Sequence, residues 1–386
     1  MSSALDAAAY VDTPPMLLTA TALSALLWLT LLVLPWRPWS TAERLEIPKD
    51  APPVCLADIT ALIPARDEAG CIAATLRALA MQGNIAKIVM IDDQSSDGTG
   101  DVARGVGLAN LQVLSGTPLP AGWSGKLWAL QQASSEVETP YTLLLDADIE
   151  LGAGALGALK SHMTSNRLAL ASVMASLHMG NAWEKLLLPP FIYFFKLIYP
   201  FALSNRPRSP IAAAAGGCVL LRTDMLHALG GFEALREAII DDCTLAQRVK
   251  RHGGRTWLGL SREVRAIRPY ETLGNIWNMV ARTAFTQLRY SNLLLAICTL
   301  MLGLSFVVPL LGLCSGAPAT VVAGLVAVGA MSWSYWPTVR YYDLHPLWVA
   351  TLSAAACLFL AMTWTSAWRY WSGERSRWKN RSYDKT

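Results

Sequence analysis

Residues 141 to 150 read Tyr-Thr-Leu-Leu-Leu-Asp146-Ala-Asp148-Ile-Glu, an apolar run ending in two carboxylates spaced i and i+2. Alternate side chains of a strand share a face, so Asp146 and Asp148 can project together and hold a hard divalent cation through oxygen. A metal gripped by so few protein oxygens keeps room for phosphate. The same pair also fits a plainer role, because Asp is common where strands turn and D-x-D is short enough to arise by chance.

Two further polar clusters fall where strands should end. Ile59 to Ile63 runs into Pro64, Ala65, Arg66, Asp67 and Glu68, and Lys87 to Ile91 runs into Asp92-Asp93-Gln94-Ser95-Ser96-Asp97-Gly98-Thr99. Open α/β sheets bind ligands at the carboxyl ends of their strands. Three acidic ends on one edge would repel unless a cation or a positive ligand group joined them. Taken alone, 92–99 also reads as an Asp/Ser/Gly turn capping the next helix.

Asp241 and Asp242 open a helix whose Leu245 and Val249 keep apolar register. One Asp can cap the helix while the other faces a cleft, held ionised by the positive helix end, which limits its strength as a base. Gly216-Gly217 presents bare backbone to a ligand or to tight packing. Lys126 starts an expected helix over 125–135, where the dipole disfavours a cation. A bound anion would justify it; a solvated lysine is the alternative.

These clusters need a scaffold. Strands are expected at 59–63, 87–91, 111–114, 141–145, 169–174, 216–221 and 255–260, with helices over 71–81 and near 125–135, 154–163 and 242–252. Strands alternating with helices of 10 to 15 residues are the mark of an α/β fold with a mainly parallel sheet.

Of 386 residues, 53% are hydrophobic and only 16% charged, which points to a membrane. A bilayer core takes about 20 apolar residues per helix, a length roughly met by 16–35, 293–314, 318–336 and 346–367. Trp28, Trp36, Trp333, Trp336, Trp348, Trp364 and Trp368 lie toward the segment ends, as interfacial aromatics do. The first stretch lacks a basic leader and is too long for a signal peptide, so an uncleaved anchor is expected. Asp6 and Asp12 precede it and Arg37, Arg44 and Lys49 follow it, which places the central domain in the cytoplasm.

The tail conflicts with that orientation. Arg369, Arg375, Arg377, Lys379, Arg381 and Lys385 belong inside by the same rule, yet three C-terminal spans would leave them outside. Either one stretch is re-entrant or interfacial, or the earlier helices override the rule. Trp183 to Leu203, apolar but broken by Pro189, Pro190 and Pro200, reads as an interfacial amphipathic segment or as a buried helix pair.

The expected organisation is therefore an anchor over 1–40, a cytoplasmic catalytic domain over 50–290 containing the interfacial segment 182–203, membrane helices over 291–368 and a basic tail over 369–386. The seven cysteines lack C-x-x-C spacing and read as reduced apolar fillers, and the five histidines lack the spacing of a zinc site. A net charge of +4 with no basic stripe excludes nucleic acid as a partner.

Taken together, Pro64 to Glu68, Asp92-Asp-x-Ser-x-Asp97-Gly-Thr99, Asp146-x-Asp148 and Asp241-Asp242 resemble family 2 glycosyltransferases of the GT-A fold, over roughly residues 55 to 290. Pro120-Ala-Gly-Trp123-Ser-Gly-Lys126-Leu-Trp, Ala213-Ala-Ala-Gly-Gly-Cys218 and Ile240-Asp-Asp-Cys-Thr-Leu look like the bacterial hopene-associated glycosyltransferases. The resemblance implies that Asp92 or Asp93 reads a uracil-like base and that Asp148 with Asp146 carries Mg2+ or Mn2+. It makes Asp242, with Asp241 beside it, the catalytic base of a single inverting displacement. The nucleotide sugar would be held by Pro64, Ala65, Arg66, Glu68, Asp92, Asp93, Lys126, Asp146, Gly217, Gln287 and Arg289.

Processive members carry Gln-x-x-Arg-Trp, whereas Gln287-Leu-Arg289-Tyr290 is one residue short, which disfavours polymer threading. Arg282, Gln287 and Arg289 close over diphosphate or acceptor, or serve as structural helix residues. The expected activity moves one sugar from a UDP-sugar to a membrane lipid at the bacterial cytoplasmic membrane. The acceptor is a hopanoid by resemblance alone, with polyprenyl phosphate or a ceramide-like lipid as alternatives. A nucleotidyltransferase and a non-catalytic membrane scaffold are the competing classes.

Overall fold

Alternation along the strands sorts the core into two layers. In the computed structural model, which describes residues 15–47, 54–238, 240–378 and 381–384, Ile59, Ala61 and Ile63 face one layer while Leu62 faces the other. Ile88 and Met90 part from Val89 and Ile91 in the same way, and Leu143 and Leu145 from Leu144. Both faces of these strands are buried, as expected where helices cover both sides of a sheet. Asp6, Asp12, Lys49, Lys379 and Lys385, used above, lie outside the described residues.

The chain divides into two compact units, one of Ala42–Gly180, Tyr199–Glu271 and Arg369–Thr386, the other of Met1–Thr41, Asn181–Ile198 and Thr272–Trp368. In the first, eight strands form one sheet: β1 (Ile59–Ala65), β2 (Lys87–Asp92), β3 (Leu111–Ser115), β4 (Tyr141–Leu145), β5 (Ile149–Leu151), β6 (Leu170–Ser176), β7 (Cys218–Arg222) and β8 (Thr256–Ala266). Their order is β3-β2-β1-β4-β7-β6-β8-β5. β3, β2, β1 and β4 run parallel, β7 runs antiparallel to both its neighbours, and β6 and β8 are parallel. Ile72, Leu76, Leu156 and Leu159, from helices Ile72–Ala80 and Ala155–Ser165, fill one layer. Leu127, Leu130, Leu245 and Val249, from Gly125–Ser134 and Asp241–Arg251, fill the other.

Seven of these strands match the expected ones, and β5 is additional. β8 shifts register against β6 at Met174/Ser176 and continues beyond it, so Val264 to Ala266 pair antiparallel with β5. The last turn of β8 is thereby brought beside the residues that follow Asp148. Within the tail, Glu374–Trp378 and Arg381–Asp384 pair as an antiparallel hairpin that composition alone does not announce.

The second unit holds helices long and apolar enough to cross a membrane at Pro15–Val33, Asn292–Leu313 and Pro318–Tyr341; the fourth such helix is Pro346–Trp371. All four coincide with the expected apolar stretches. Pro309 has no N–H to give the carbonyl of Ser305, and that carbonyl instead accepts the indole N–H of Trp28 at 2.9 Å. Ala182–Ile198 is one helix despite Pro189 and Pro190. Its charged residues Glu184 and Lys196 are buried: Glu184 accepts from the N–H of Asn181 at 3.1 Å, and Lys196 donates to the carbonyl of Ser40. Tyr193 bonds Ser334 at 2.7 Å within the same unit.

Candidate active site

Because β2, β1 and β4 are parallel neighbours, their carboxyl ends share one edge, and the three acidic clusters lie along it. β7 runs the other way, so its start after Gly216-Gly217 reaches the same edge, where the N–H of Asp146 donates to the carbonyl of Gly217 at 3.0 Å.

The loops after β1 and β2 are stitched together. The Asp67 carboxylate accepts from the N–H of Ser96 at 2.8 Å, the Glu68 N–H donates to the Thr99 hydroxyl at 2.8 Å, and the Ala69 N–H to Asp97 at 3.0 Å. Burial works against ionisation of Asp97, yet bonds from the Thr99 hydroxyl and the backbone outweigh it and hold the carboxyl below its usual range. Asp97 is thus a brace of the loop. Asp92 is half-buried and accepts from the Ser95 N–H at 3.0 Å, and a Cβ on Gly100 would come within 2.5 Å of it. Asp93 is fully buried 4.0 Å from Arg66, whose guanidinium also donates to the Asp93 carbonyl at 2.6 Å. Pro64 and Ala65 are buried within β1, and the Ala65 carbonyl accepts from the Asp93 N–H at 2.8 Å.

At the end of β4 the partners are charged side chains. Lys126 lies 2.7 Å from Asp146 and 3.9 Å from Asp241. Burial disfavours its charge, but Asp146, Asp241 and Asp242 more than compensate and hold the ammonium well above its ordinary range. A cation at a helix start is therefore explained by the chain's own carboxylates. Burial and the neighbouring Asp241 push the Asp242 carboxyl up to about 6, against the pull of Lys126 and of the backbone N–H groups of Cys243 and Gly216. The helix end alone would keep this group a weak base; burial and like charge outweigh it. The Cys218 thiol is pushed up to about 12 by burial and by Asp146, so it stays protonated at neutral pH.

The two glycines divide their work. A Cβ on Gly216 would meet both Asp242 and Lys126 at 3.2 Å, whereas one on Gly217 would meet Ile149 at 3.1 Å. Gly217 is thus closed by packing, and Gly216 faces the charges. Between Asp146 and Asp148, the carbonyl of buried Ala147 accepts from the buried Thr75 hydroxyl at 2.8 Å.

Sequence reasoning misses Arg268. Its Nε lies 3.1 Å from Asp148 and its Nη2 pairs with Glu68, while the preceding Ile267 N–H donates to the Asp148 carbonyl at 2.9 Å. No local pattern marks it, since its position follows from β8 reaching past β6 to β5. Contacts thus run from Asp242 and Asp241 through Lys126 to Asp146, and from Asp148 through Arg268 to Glu68 and the loop of Asp92. Gln287 ends the short helix Ala284–Gln287, and Arg289 and Tyr290 follow at φ of 53° and 55°; they belong to the other unit, as does Arg282.

Among the described residues no group of three or more His, Cys, Asp or Glu forms a ready metal site. Asp146 and Asp148 nonetheless suit Mg2+ or Mn2+: both are half-buried hard oxygen donors, and each already holds a cationic nitrogen within 3.1 Å. A cavity of about 460 Å³ lined by Leu229, Thr244, Gln247, Arg248, Arg251 and His252 includes none of the site's carboxylates.

A stretch of 93 residues is 30% identical to a 4,4'-diaponeurosporenoate glycosyltransferase of Staphylococcus haemolyticus, covering 24% of each chain. Among solved structures, a mannosyltransferase from Pyrobaculum calidifontis in complex with GDP-Man and Mn2+ matches at 16% identity and a TM-score of 0.47, over 89% of this chain and 96% of that one. Glucosyl-3-phosphoglycerate synthase from Mycobacterium tuberculosis, with Mn2+ and UDP, matches at 15% identity and a TM-score of 0.40, over 62% and 86%. At such scores neither likeness bears on the site. The mixed sheet flanked by helices, with membrane-length helices toward both ends, is the GT-A-like α/β class expected from the sequence. The family model described as glycosyl transferase family 21 matches residues 111–385, a span holding Asp146, Asp148, Asp241, Asp242 and Arg268. With well over half its length matched, this chain belongs to glycosyl transferase family 21 and is a glycosyltransferase.

Proposed function

We propose that this glycosyltransferase moves one sugar from a nucleotide diphosphate sugar, a UDP-sugar, to the hydroxyl of a membrane lipid with inversion at the anomeric carbon. The observation that carries the reading is the convergence on Lys126 of Asp146 from one strand end and Asp241 from a helix start, with Asp242 adjoining. Donor-holding and proton-accepting groups need to meet in this way round one reacting carbon.

In this mechanism Asp92, the more accessible of its pair, accepts from the base of the nucleotide, and Arg66 braces Asp93 behind it. Asp146 and Asp148 would hold the metal, which when bound would offset charge developing on the leaving diphosphate. Asp242 takes the acceptor's hydroxyl proton as the oxygen forms its bond to the anomeric carbon and the bond to the diphosphate breaks. Lys126 stays protonated and helps to stabilise the departing anion.

A carboxylate of raised proton affinity suits a hydroxyl acceptor. A phosphate acceptor arrives already ionised and needs no base, so a hopanoid or ceramide-like alcohol is favoured over polyprenyl phosphate. The four membrane-length helices suit a substrate dissolved in the bilayer. Arg37 and Arg44, after the first of them, favour the bacterial cytoplasmic membrane with the catalytic unit inside. We place the catalytic domain at 50–290, with 182–203 at the membrane surface.

The test is UDP release by purified protein given UDP-sugar, Mn2+ and lipid, set beside Asp242→Asn. The variant should lose about 10²- to 10⁴-fold in turnover while still binding UDP. Unchanged turnover would falsify the assignment of the base. Release of pyrophosphate from a nucleoside triphosphate would instead identify a nucleotidyltransferase. Mass spectrometry of membrane lipids from cells with and without the protein names the acceptor by a hexose- or hexosamine-sized difference.

A further inference from the structure

We propose that Lys126 and Arg268 are resident counter-cations which the divalent metal has to displace, so that metal and nucleotide diphosphate bind cooperatively. This rests on the proposed donor site and deepens it. Each acid of the D-x-D pair already has a partner: Asp146 holds Lys126 at 2.7 Å, and Asp148 holds Arg268 at 3.1 Å. Arg268 also reaches Glu68, so one guanidinium spans two strand ends. A metal arriving alone would meet two positive charges among the oxygens it needs, and like charges at such range repel strongly.

A diphosphate removes the conflict. Its oxygens accept both displaced cations, and arginine in particular matches phosphate with paired N–H donors. Each ligand thus prepares the site for the other, and linkage makes the coupling equal in both directions. Arg268 is a positioning residue toward the metal, acting through Asp148.

The experiment titrates the full-length protein with Mn2+ alone, UDP alone, and each in the presence of the other, by calorimetry and by the Mn2+ electron paramagnetic resonance signal. The wild type should bind Mn2+ weakly by itself and about tenfold or more tightly with UDP, within the usual range of coupling. Arg268→Gln should bind Mn2+ alone more tightly and lose most of the coupling, while Arg268→Lys restores it. A merely structural arginine would leave Mn2+ affinity unchanged or lower it. Independent binding of Mn2+ and UDP to the wild type, or Mn2+ affinity that does not rise in Arg268→Gln, overturns the proposal and leaves the donor site standing. Absence of binding of Mn2+ and UDP in every combination overturns both.

A separate observation carries a second inference: Pro346–Trp371 enters and leaves the bilayer on one face, so the chain crosses three times. Thr21 abuts Gly312, and Trp28 bonds Ser305, so the first two spans run antiparallel. Gly324 abuts Pro309 and Leu313, so Pro318–Tyr341 starts at the far end and returns. The last helix then places Ser353 beside Met331, Trp364 against Thr299, Thr365 against Trp277 and Ser366 against Phe285. Trp277 and Phe285 precede the second span, so the helix finishes on the side where that span begins. A crossing helix would finish beside Gly312 or Pro318.

This arrangement returns the basic tail to the side of Arg37 and Arg44 and removes the conflict with the positive-inside rule. Alkaline phosphatase fused after Ser315, Asp343 and Thr386 tests it. Activity at Ser315 alone is the expected result; activity at Thr386 with none at Asp343 overturns it.

Discussion

Two acidic strand ends on one edge are held in opposite ways. After β2, Asp92 and Asp97 accept from backbone N–H groups of Ser95, Thr99 and Ala69, and Asp67 reaches across from the neighbouring loop to do the same with Ser96. After β4, Asp146 and Asp148 are held by the side-chain cations Lys126 and Arg268. A carboxylate bonded to the backbone cannot leave without breaking a turn. One bonded to a lysine or arginine can exchange that partner for another positive group. The first end therefore keeps its loop in a fixed shape, on which Asp92 is presented, and the second is the one whose partners a ligand could exchange.

The sharpest way to break this contrast is Asp148→Asn. Turnover should fall about 100-fold or more, the loss expected when charge stabilisation at a leaving group is removed. The melting temperature should hold or rise, because the loss falls on an exchangeable pair; a large drop in melting temperature would make Asp148 a structural acid like Asp97.

The pH dependence comes next in size. With Asp242 at about 6, the ionised base is lost as pH falls, so turnover should decline tenfold per unit below about 6. The stability sign is opposite. The folded carboxyl binds its proton more tightly than the unfolded one at 3.8, so Asp242 costs stability above about 6, and that cost fades toward pH 4. Asp242→Asn should therefore be more stable at pH 7, by roughly 1–2 kcal/mol once solvent screening is allowed for. Chemical denaturation of the two proteins at pH 7 and pH 4 measures this directly.

Asp97→Ala should lower stability by about 1 kcal/mol, the usual net worth of a lost hydrogen bond, since Asp97 accepts from Ala69 and Thr99, with turnover per folded molecule nearly unchanged. Because the folded carboxyl of Asp97 is held low, its contribution is present above the unfolded value and disappears as pH falls through the folded one. Lys126→Met should lower turnover, because it removes a charge that steadies the departing anion, and the finer readout is the acid limb of the remaining rate profile, which should move upward since Lys126 is one of the groups holding Asp242 down. A limb that moves downward would contradict the placement of that ammonium.

The same contrast explains what can be read from sequence. Runs such as Lys87 to Ile91 and Tyr141 to Leu145 declare themselves because one strand buries both faces, and the acids that follow them are adjacent in the chain. β5 is only three residues long and has no periodicity to detect. Arg268 is invisible for a related reason: its partners, Glu68 and Asp148, meet it only through the crossing of β8. Hydropathy finds Pro346–Trp371 because it measures whether a helix is able to cross, and no property of length or composition records the neighbours beside which it ends. Pro189 and Pro190 suggest a broken segment, yet the flanking turns carry the helix through both.

The buried hydroxyl of Thr75 grips the carbonyl of Ala147, the one residue that separates Asp146 from Asp148. The spread of that acidic fork is therefore governed from the interior, by a neutral residue 72 positions upstream that no substrate touches. Exchanging it for valine would keep shape while releasing the peptide, so that, on the proposed metal role of Asp146 and Asp148, the preference for one cation over another could be tuned without altering a single charge.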